Sequence, residues 1–219
     1  MKRIIFLGFF LFYAFAAVNK VAAFQSGDQQ LWNTESIEGG LSSLWKVKLE
    51  EEFRFGNNAS DLYYTHTDMG VTYKLTTHLS LGVNFREIFE KKNGVLIEEN
   101  RPHVNAIVKW KWLDFKLSDR SRLEYRILKN KANSWRYRNK LGLVYPAKWS
   151  AMEIQPYLAD EIFIDFAAAE YNRNRLYAGF KARLSDKLGT DIFYLWQSSK
   201  KNDSWVNFNI VGLKLKVVF

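Results

Sequence analysis

No cysteine occurs among the 219 residues. Its absence excludes disulfide scaffolds, cysteine-ligated zinc sites, thiol nucleophiles and anchoring through an acylated N-terminal cysteine. Histidine is scarce, with three copies. His78 falls in a turn, His103 in a basic row, and neither has metal-ligand spacing, so no metal and no cofactor is expected. No G-x-S-x-G, H-E-x-x-H, P-loop or G-x-G-x-x-G motif is present. After Ala23 no apolar run approaches the roughly 20 residues of a transmembrane helix. Linkers and low-complexity segments are missing as well, and one domain is expected.

Aromatics, by contrast, are abundant: 17 Phe, 11 Tyr and 8 Trp within a 47% hydrophobic composition exclude disorder. The formal net charge is +9, a balance that raises nucleic acid as a partner only if the bases share an exposed face. Met1-Lys2-Arg3, the apolar run Ile4 to Val18 and the small residues Val21-Ala22-Ala23 have the three-part layout of a secretory signal peptide. Cleavage is expected after Ala23, leaving 24–219 with 29 bases against 23 acids, a net +6.

From Trp45 onward the dominant signal is period two, sustained over ten segments longer than soluble strands usually are. In residues 45–55 one face reads Trp, Val, Leu, Glu, Phe, Phe and the other Lys, Lys, Glu, Glu, Arg. Comparable segments lie at about 61–75, 79–90, 101–111, 115–127, 135–145, 152–164, 172–184, 190–199 and 205–219. The turns between them are short, and short turns join antiparallel neighbours. Residues 91–100 are expected to form the longest outer loop, with Glu98-Glu99 solvated.

A soluble sandwich or lipocalin-like barrel also alternates. Here, however, the apolar rows end in aromatics at matching heights. Trp45, Trp110, Trp112, Phe115, Tyr145, Trp149 and Phe219 gather at one end, and Phe53, Phe55, Phe89, Tyr125, Trp135, Tyr194, Trp196 and Trp205 at the other. Two aromatic girdles around an aliphatic band suit a bilayer-spanning barrel. The last strand, with Val211, Leu213, Leu215, Val217 and terminal Phe219 on one face, resembles the assembly signal of bacterial outer-membrane barrels. That resemblance implies the barrel-assembly machinery and outer-membrane lipid as partners.

The fold expected is therefore all-β, a transmembrane up-and-down antiparallel barrel of ten strands, with twelve as the alternative. Even counts keep both termini on one side, and ten strands put Trp45 and Phe219 on the periplasmic side. Residues 24–44, with a weaker segment at 30–37, are left as a partial strand, a lumenal insert or part of two extra strands.

If the apolar faces meet lipid, the polar faces line the lumen. The inward basic ladder then comprises Lys46, Lys48, Arg54, Arg86, Arg101, Arg120, Arg122, Arg126, Arg136, Arg138, Arg173 and Arg175, with further bases at Lys109, Lys116, Lys140, Lys181, Arg183, Lys214 and Lys216. Glu50, Glu52, Glu124 and Glu161 are the acids expected to pair with it. Such a ladder suits an anion-preferring pore. A narrow barrel filled by its own salt bridges is the competing outcome. Glu51, Glu87, Asp119, Asn139 and Asp160 break the apolar face, at an interface, a bulge or a subunit contact.

Enzymatic function is not expected. The one alternative is an outer-membrane hydrolase using His66 with Asp68, two apart on one strand.

Several stretches carry a family resemblance: Gln30-Leu31-Trp32, Glu51-Glu52-Phe53-Arg54-Phe55, Arg120-Ser121-Arg122-Leu123-Glu124-Tyr125-Arg126, Trp135-Arg136-Tyr137-Arg138, Gln155-Pro156-Tyr157-Leu158-Ala159-Asp160-Glu161 and Asn172-Arg173-Asn174-Arg175-Leu176-Tyr177. They resemble the domain-of-unknown-function family 2490. The resemblance covers nearly all of 24–219 and implies an outer-membrane barrel of a Gram-negative bacterium, without implying a substrate. The function expected is passive, anion-biased passage of small solutes, with a non-conducting structural barrel as the alternative. With the bases inward, nucleic acid is not an expected partner.

Overall fold

The computed structural model describes residues 25–129, 131–201 and 203–219. The expected signal peptide lies outside the described residues. Among the described residues eleven strands follow one another: β1 (Asp28–Gly40), β2 (Trp45–Gly56), β3 (Asp61–Lys74), β4 (Leu79–Lys92), β5 (Val95–Trp112), β6 (Phe115–Leu128), β7 (Ser134–Val144), β8 (Gln155–Asp165), β9 (Glu170–Arg183), β10 (Leu188–Lys201) and β11 (Ser204–Val218). Each pairs with its sequence neighbours, and β1 closes the barrel on β11.

The closure corrects the expected count of ten or twelve. Residues 28–40 are a full strand, antiparallel to β2 and parallel to β11, with Trp32 opposite Gly212 and Ile37 opposite Val217. Without β1, the adjoining edges of β2 and β11 would have to meet each other. An odd count reverses the strand direction at closure, so one parallel pair is unavoidable, and pairing leaves no open edge. The alternation in β1 supports this place: Gln30, Trp32, Thr34 and Ser36 are buried on the inner face, while Leu31 and Ile37 are exposed. Gly40 N–H donates to Phe219 O at 3.4 Å, so the β1–β2 turn and the last residue share one rim. The described chain begins at the opposite rim, where Gly27 N–H donates to Asn207 O at 2.8 Å.

Residues 91–100 do not form a loop. Asn93 and Gly94 take positive φ (51° and 81°) in a tight turn, and 95–100 continue as strand paired to β4. Such Asn-Gly turns match the twist of antiparallel strands. The longest connection lies at the other rim, 145–154, held by Gln155 Nε2 donating to the carbonyls of Tyr145 (2.9 Å) and Pro146 (3.1 Å).

The outer face is apolar, with Leu49, Met69, Val83, Val104, Leu158, Leu176, Ile192 and Val211 all exposed. Aromatic pairs stand at both ends of this band. Trp45–Tyr73 (4.8 Å between centroids) and Phe115–Tyr145 (5.7 Å) mark the Phe219 rim, and Tyr125–Trp135 (4.9 Å) and Tyr171–Trp205 (5.5 Å) the opposite one. Polar residues on the outer wall bond to one another: Asn139 Nδ2 donates to Asp119 (2.9 Å) and Ser121 (3.2 Å), and Asn174 Nδ2 to Asp160 (2.6 Å). Glu51 lies between Glu35 and Thr67 in the ladder, and Thr67 opposite Glu87.

Candidate functional site

The lumen divides at mid-height. Toward the rim opposite Phe219, the inner face of the strands carries apolar residues that the alternation also turned inward: Ile88, Leu195 and Ile210 are fully buried, and Phe163, Trp32 and Phe208 nearly so. Each such side chain, removed from water, contributes about 1.5–3 kcal/mol. Two carboxylates knit the polar remainder together, Glu124 at 0% exposure and Glu161 at 1%.

Glu124 accepts from Arg136 (2.5 Å) and Arg138 (2.8 Å), with Arg122 at 3.5 Å. Glu161 accepts from Arg120 (2.6 Å), Arg138 (2.7 Å) and Tyr177 Oη (3.1 Å), with Arg175 at 3.6 Å. The guanidiniums of Arg136, Arg138, Arg173 and Arg175 surround the Phe163 ring at 4.5–5.5 Å. Arg54 lies between the rings of Trp32 (3.7 Å) and Tyr64 (4.0 Å) and donates to Glu52 at 2.6 Å. Charged groups are tolerated at such depth where they are paired and hydrogen-bonded, as those on Glu124 and Glu161 are; Arg173 has no carboxylate within salt-bridge distance and its buried Nε has no acceptor among the described residues. The result is a septum of interlocked side chains across the barrel.

Among the described residues, every member of the predicted basic ladder except Lys46 and Arg173 comes within salt-bridge distance of a carboxylate. Glu50 gathers Lys48 (2.5 Å), Lys214 (2.7 Å) and Arg86 (3.7 Å). Arg101 and Arg126 share Glu99, at 2.5 and 2.7 Å. Lys46 stands exposed at the Phe219 rim, and Arg183 pairs with Asp186 at the same rim rather than in the lumen. Glu50, Glu52, Glu124 and Glu161 each lie against bases, and so do Asp68, Glu99, Asp165, Glu38 and Asp191. Glu99, expected to be solvated, is 4% exposed. The signal for it was the spacing Glu99, Arg101, His103, which keeps one face of one strand.

His66 and Asp68 share a face without meeting. The His66 ring nitrogens lie 3.5 Å from Glu52 and 3.6 Å from Glu50, whereas Asp68 accepts from Arg86 Nε at 2.7 Å and lies 3.6 Å from His103.

Toward the Phe219 rim the lumen is hollow, with a cavity of about 500 Å³. Its lining has eleven basic and five acidic side chains. The Phe193 ring lies against this wall over Gly212, where a Cβ would sit 2.1 Å from it, while a Cβ at Gly179 on the other neighbouring strand would sit 2.7 Å from the Phe193 Cβ. Gly212 thus keeps the ring on the wall and the cavity open.

No curated protein matches the chain. A family model described as protein of unknown function (DUF2490) matches residues 29–208, a span that includes nearly all of β1 and reaches into β11. The β-barrel chain described here therefore belongs to the DUF2490 family.

Proposed function

We propose that this chain is an outer-membrane β-barrel of a Gram-negative bacterium, closed to passage by its own salt-bridged septum and open to the periplasm as a basic vestibule. The observation that carries the closed reading is the complete burial of Glu124, Glu161, Phe163, Ile88, Leu195 and Ile210 inside the lumen. The membrane reading draws on the apolar outer face and the aromatic pairs at both of its ends. The periplasmic orientation draws on the terminal strand with Val211, Leu213, Leu215, Val217 and Phe219, which is read as the segment engaged by the barrel-assembly machinery.

A second reading, anion-biased passage of small solutes, is favoured by the charge of the vestibule, eleven bases against five acids. Basic linings select anions. Planar-bilayer recording separates the two. The native barrel is expected to give no conductance steps in molar KCl, and the double variant Glu124→Ala/Glu161→Ala to open an anion-preferring path. Steps from the native protein overturn the closed reading in favour of passage, and cation preference overturns the anion version. Heat-dependent gel migration checks the barrel, and a chain that stays soluble without detergent overturns the membrane reading.

A further inference from the structure

We propose that the vestibule is a binding site for an organic anion in which a carboxylate or phosphate head is joined to a flat aromatic body. The head sits against β5–β7 and the body on the β8–β10 wall. The inference rests on the vestibule reading above and is independent of whether the septum conducts.

The bases lining the cavity are not equivalent. On one side each is neutralised by a carboxylate close by: Lys181 by Asp191, Lys214 by Glu50 and Lys216 by Glu38, all at 2.7 Å. Across the cavity, on β5–β7, Arg120 and Arg138 meet Glu161 and Arg122 lies 3.5 Å from Glu124, but the match is incomplete. Lys109 and Lys140 have no carboxylate within salt-bridge distance among the described residues, and Lys140 Nζ is instead 3.4 Å from the centroid of the Tyr177 ring. Arg122 is 7% exposed, gives Nε to Asn105 at 2.7 Å and has Nη1 3.5 Å from Glu124; among the described residues neither that buried Nη1 nor the buried Nε of neighbouring Arg120 has a hydrogen-bond acceptor. A buried donor without an acceptor costs about 1–3 kcal/mol, more when charged. An anionic head seated beside Lys109 and Lys140 supplies the missing negative charge. Guanidinium and ammonium groups converging on one side suit a carboxylate or phosphate.

The adjoining wall has a different chemistry. Tyr157, Tyr177 and Phe193 line the cavity, and Gly212 leaves the space that the Phe193 ring occupies against the wall. Tyr177 and Phe193 are 5.6 Å apart between centroids. A wall of rings beside unneutralised cations is the lining of a pocket for a ligand with an apolar body and one charged end. A bare inorganic anion would use only half of it.

Calorimetry on the full chain in detergent micelles tests this with four probes: phenyl phosphate, benzoate, inorganic phosphate and phenol. Saturable binding of phenyl phosphate or benzoate is expected, about tenfold or more tighter than inorganic phosphate, with none for phenol. Lys140→Met and Lys109→Met are each expected to weaken it about tenfold, the loss of one charge-assisted contact. Phe193→Leu is expected to bring phenyl phosphate down toward inorganic phosphate. Absence of saturable binding by both organic anions overturns the site, and so does affinity unmoved by Lys140→Met. Equal affinity for phenyl phosphate and inorganic phosphate overturns the aromatic half. Heat-dependent migration of every variant shows whether the barrel has formed, so a failed barrel is told apart from a barrel that binds nothing.

Discussion

In the half of the lumen away from Phe219, two carboxylates each serve several guanidiniums and rings fill what remains. In the half nearer Phe219, bases surround empty volume, and Lys109 and Lys140 have no carboxylate within salt-bridge distance among the described residues, as Arg173 has none in the other half, where it instead lies over the Phe163 ring. The strands are the same strands, and the alternation is the same. What differs is where the acids and the large apolar side chains fall along the inner face. Glu124, Glu161, Phe163 and Ile88 lie toward the rim opposite Phe219, while Gly142, Gly179 and Gly212 lie toward the other. The first half is consequently bound by interactions that only a folded barrel provides. The second pairs Lys181, Lys214 and Lys216 with carboxylates but leaves Lys109 and Lys140 without one beside an open volume, and is the half suited to something from outside.

The largest effect expected from breaking this contrast follows Glu124→Ala. Its removal leaves Arg136 and Arg138 buried without their shared acceptor, a loss of about 3–5 kcal/mol. Denaturant unfolding of the barrel in lipid vesicles measures it, and a loss below about 1 kcal/mol would mean that the septum is hydrated and not a sealed core. A smaller effect is expected for Phe163→Leu, which keeps an apolar side chain but removes the ring that four guanidiniums surround. About 1–2 kcal/mol is expected there. If the same substitution costs as much in a background lacking Arg138, the ring acts by packing alone.

Most of the barrel was legible in the sequence because period two is a local signal: Trp45 to Phe55 or Val211 to Phe219 states its own inner and outer faces. The lumenal bases and the four main acids followed from that parity without knowledge of their partners. Pairing was not legible, since Arg138 bridges Glu124 and Glu161 from neighbouring strands, and such geometry depends on register around the whole barrel. β1 was left open between a partial strand, a lumenal insert and part of two extra strands because Glu35 and Asn33 dilute its outer face, whereas its place is fixed by two ladders, one with a strand 180 residues away, as in Asp28 opposite Phe208. Residues 95–100 failed for a related reason. Glu98, Glu99 and Asn100 look solvated one by one, but Glu99 points inward at Arg101 and Arg126. Phe163, Leu195 and Ile210 share the inner-face parity of Glu161, Phe193 and Lys214, yet their place in the septum shows only in the folded barrel, where all three are buried.

Lys140→Met gives the smallest change in stability and the sharpest test, because its expected sign is opposite to that of Glu124→Ala. Lys140 sits one inner-face position from Arg138 along β7 and directly opposite Arg120 and Glu161 in the ladder, but Glu161 is already engaged by Arg120, Arg138 and Tyr177. Removing the ammonium therefore strips no acid of its only partner, and it relieves repulsion from the neighbouring guanidinium. A methionine retains the length needed to cover the Tyr177 ring. Unfolding free energy is expected to stay within about 0.5 kcal/mol of the native value or to rise, while anion binding falls. A loss of several kcal/mol would show that Lys140 is a structural cation of the septum. The boundary between the two halves would then lie closer to the Phe219 rim than the ion pairs place it.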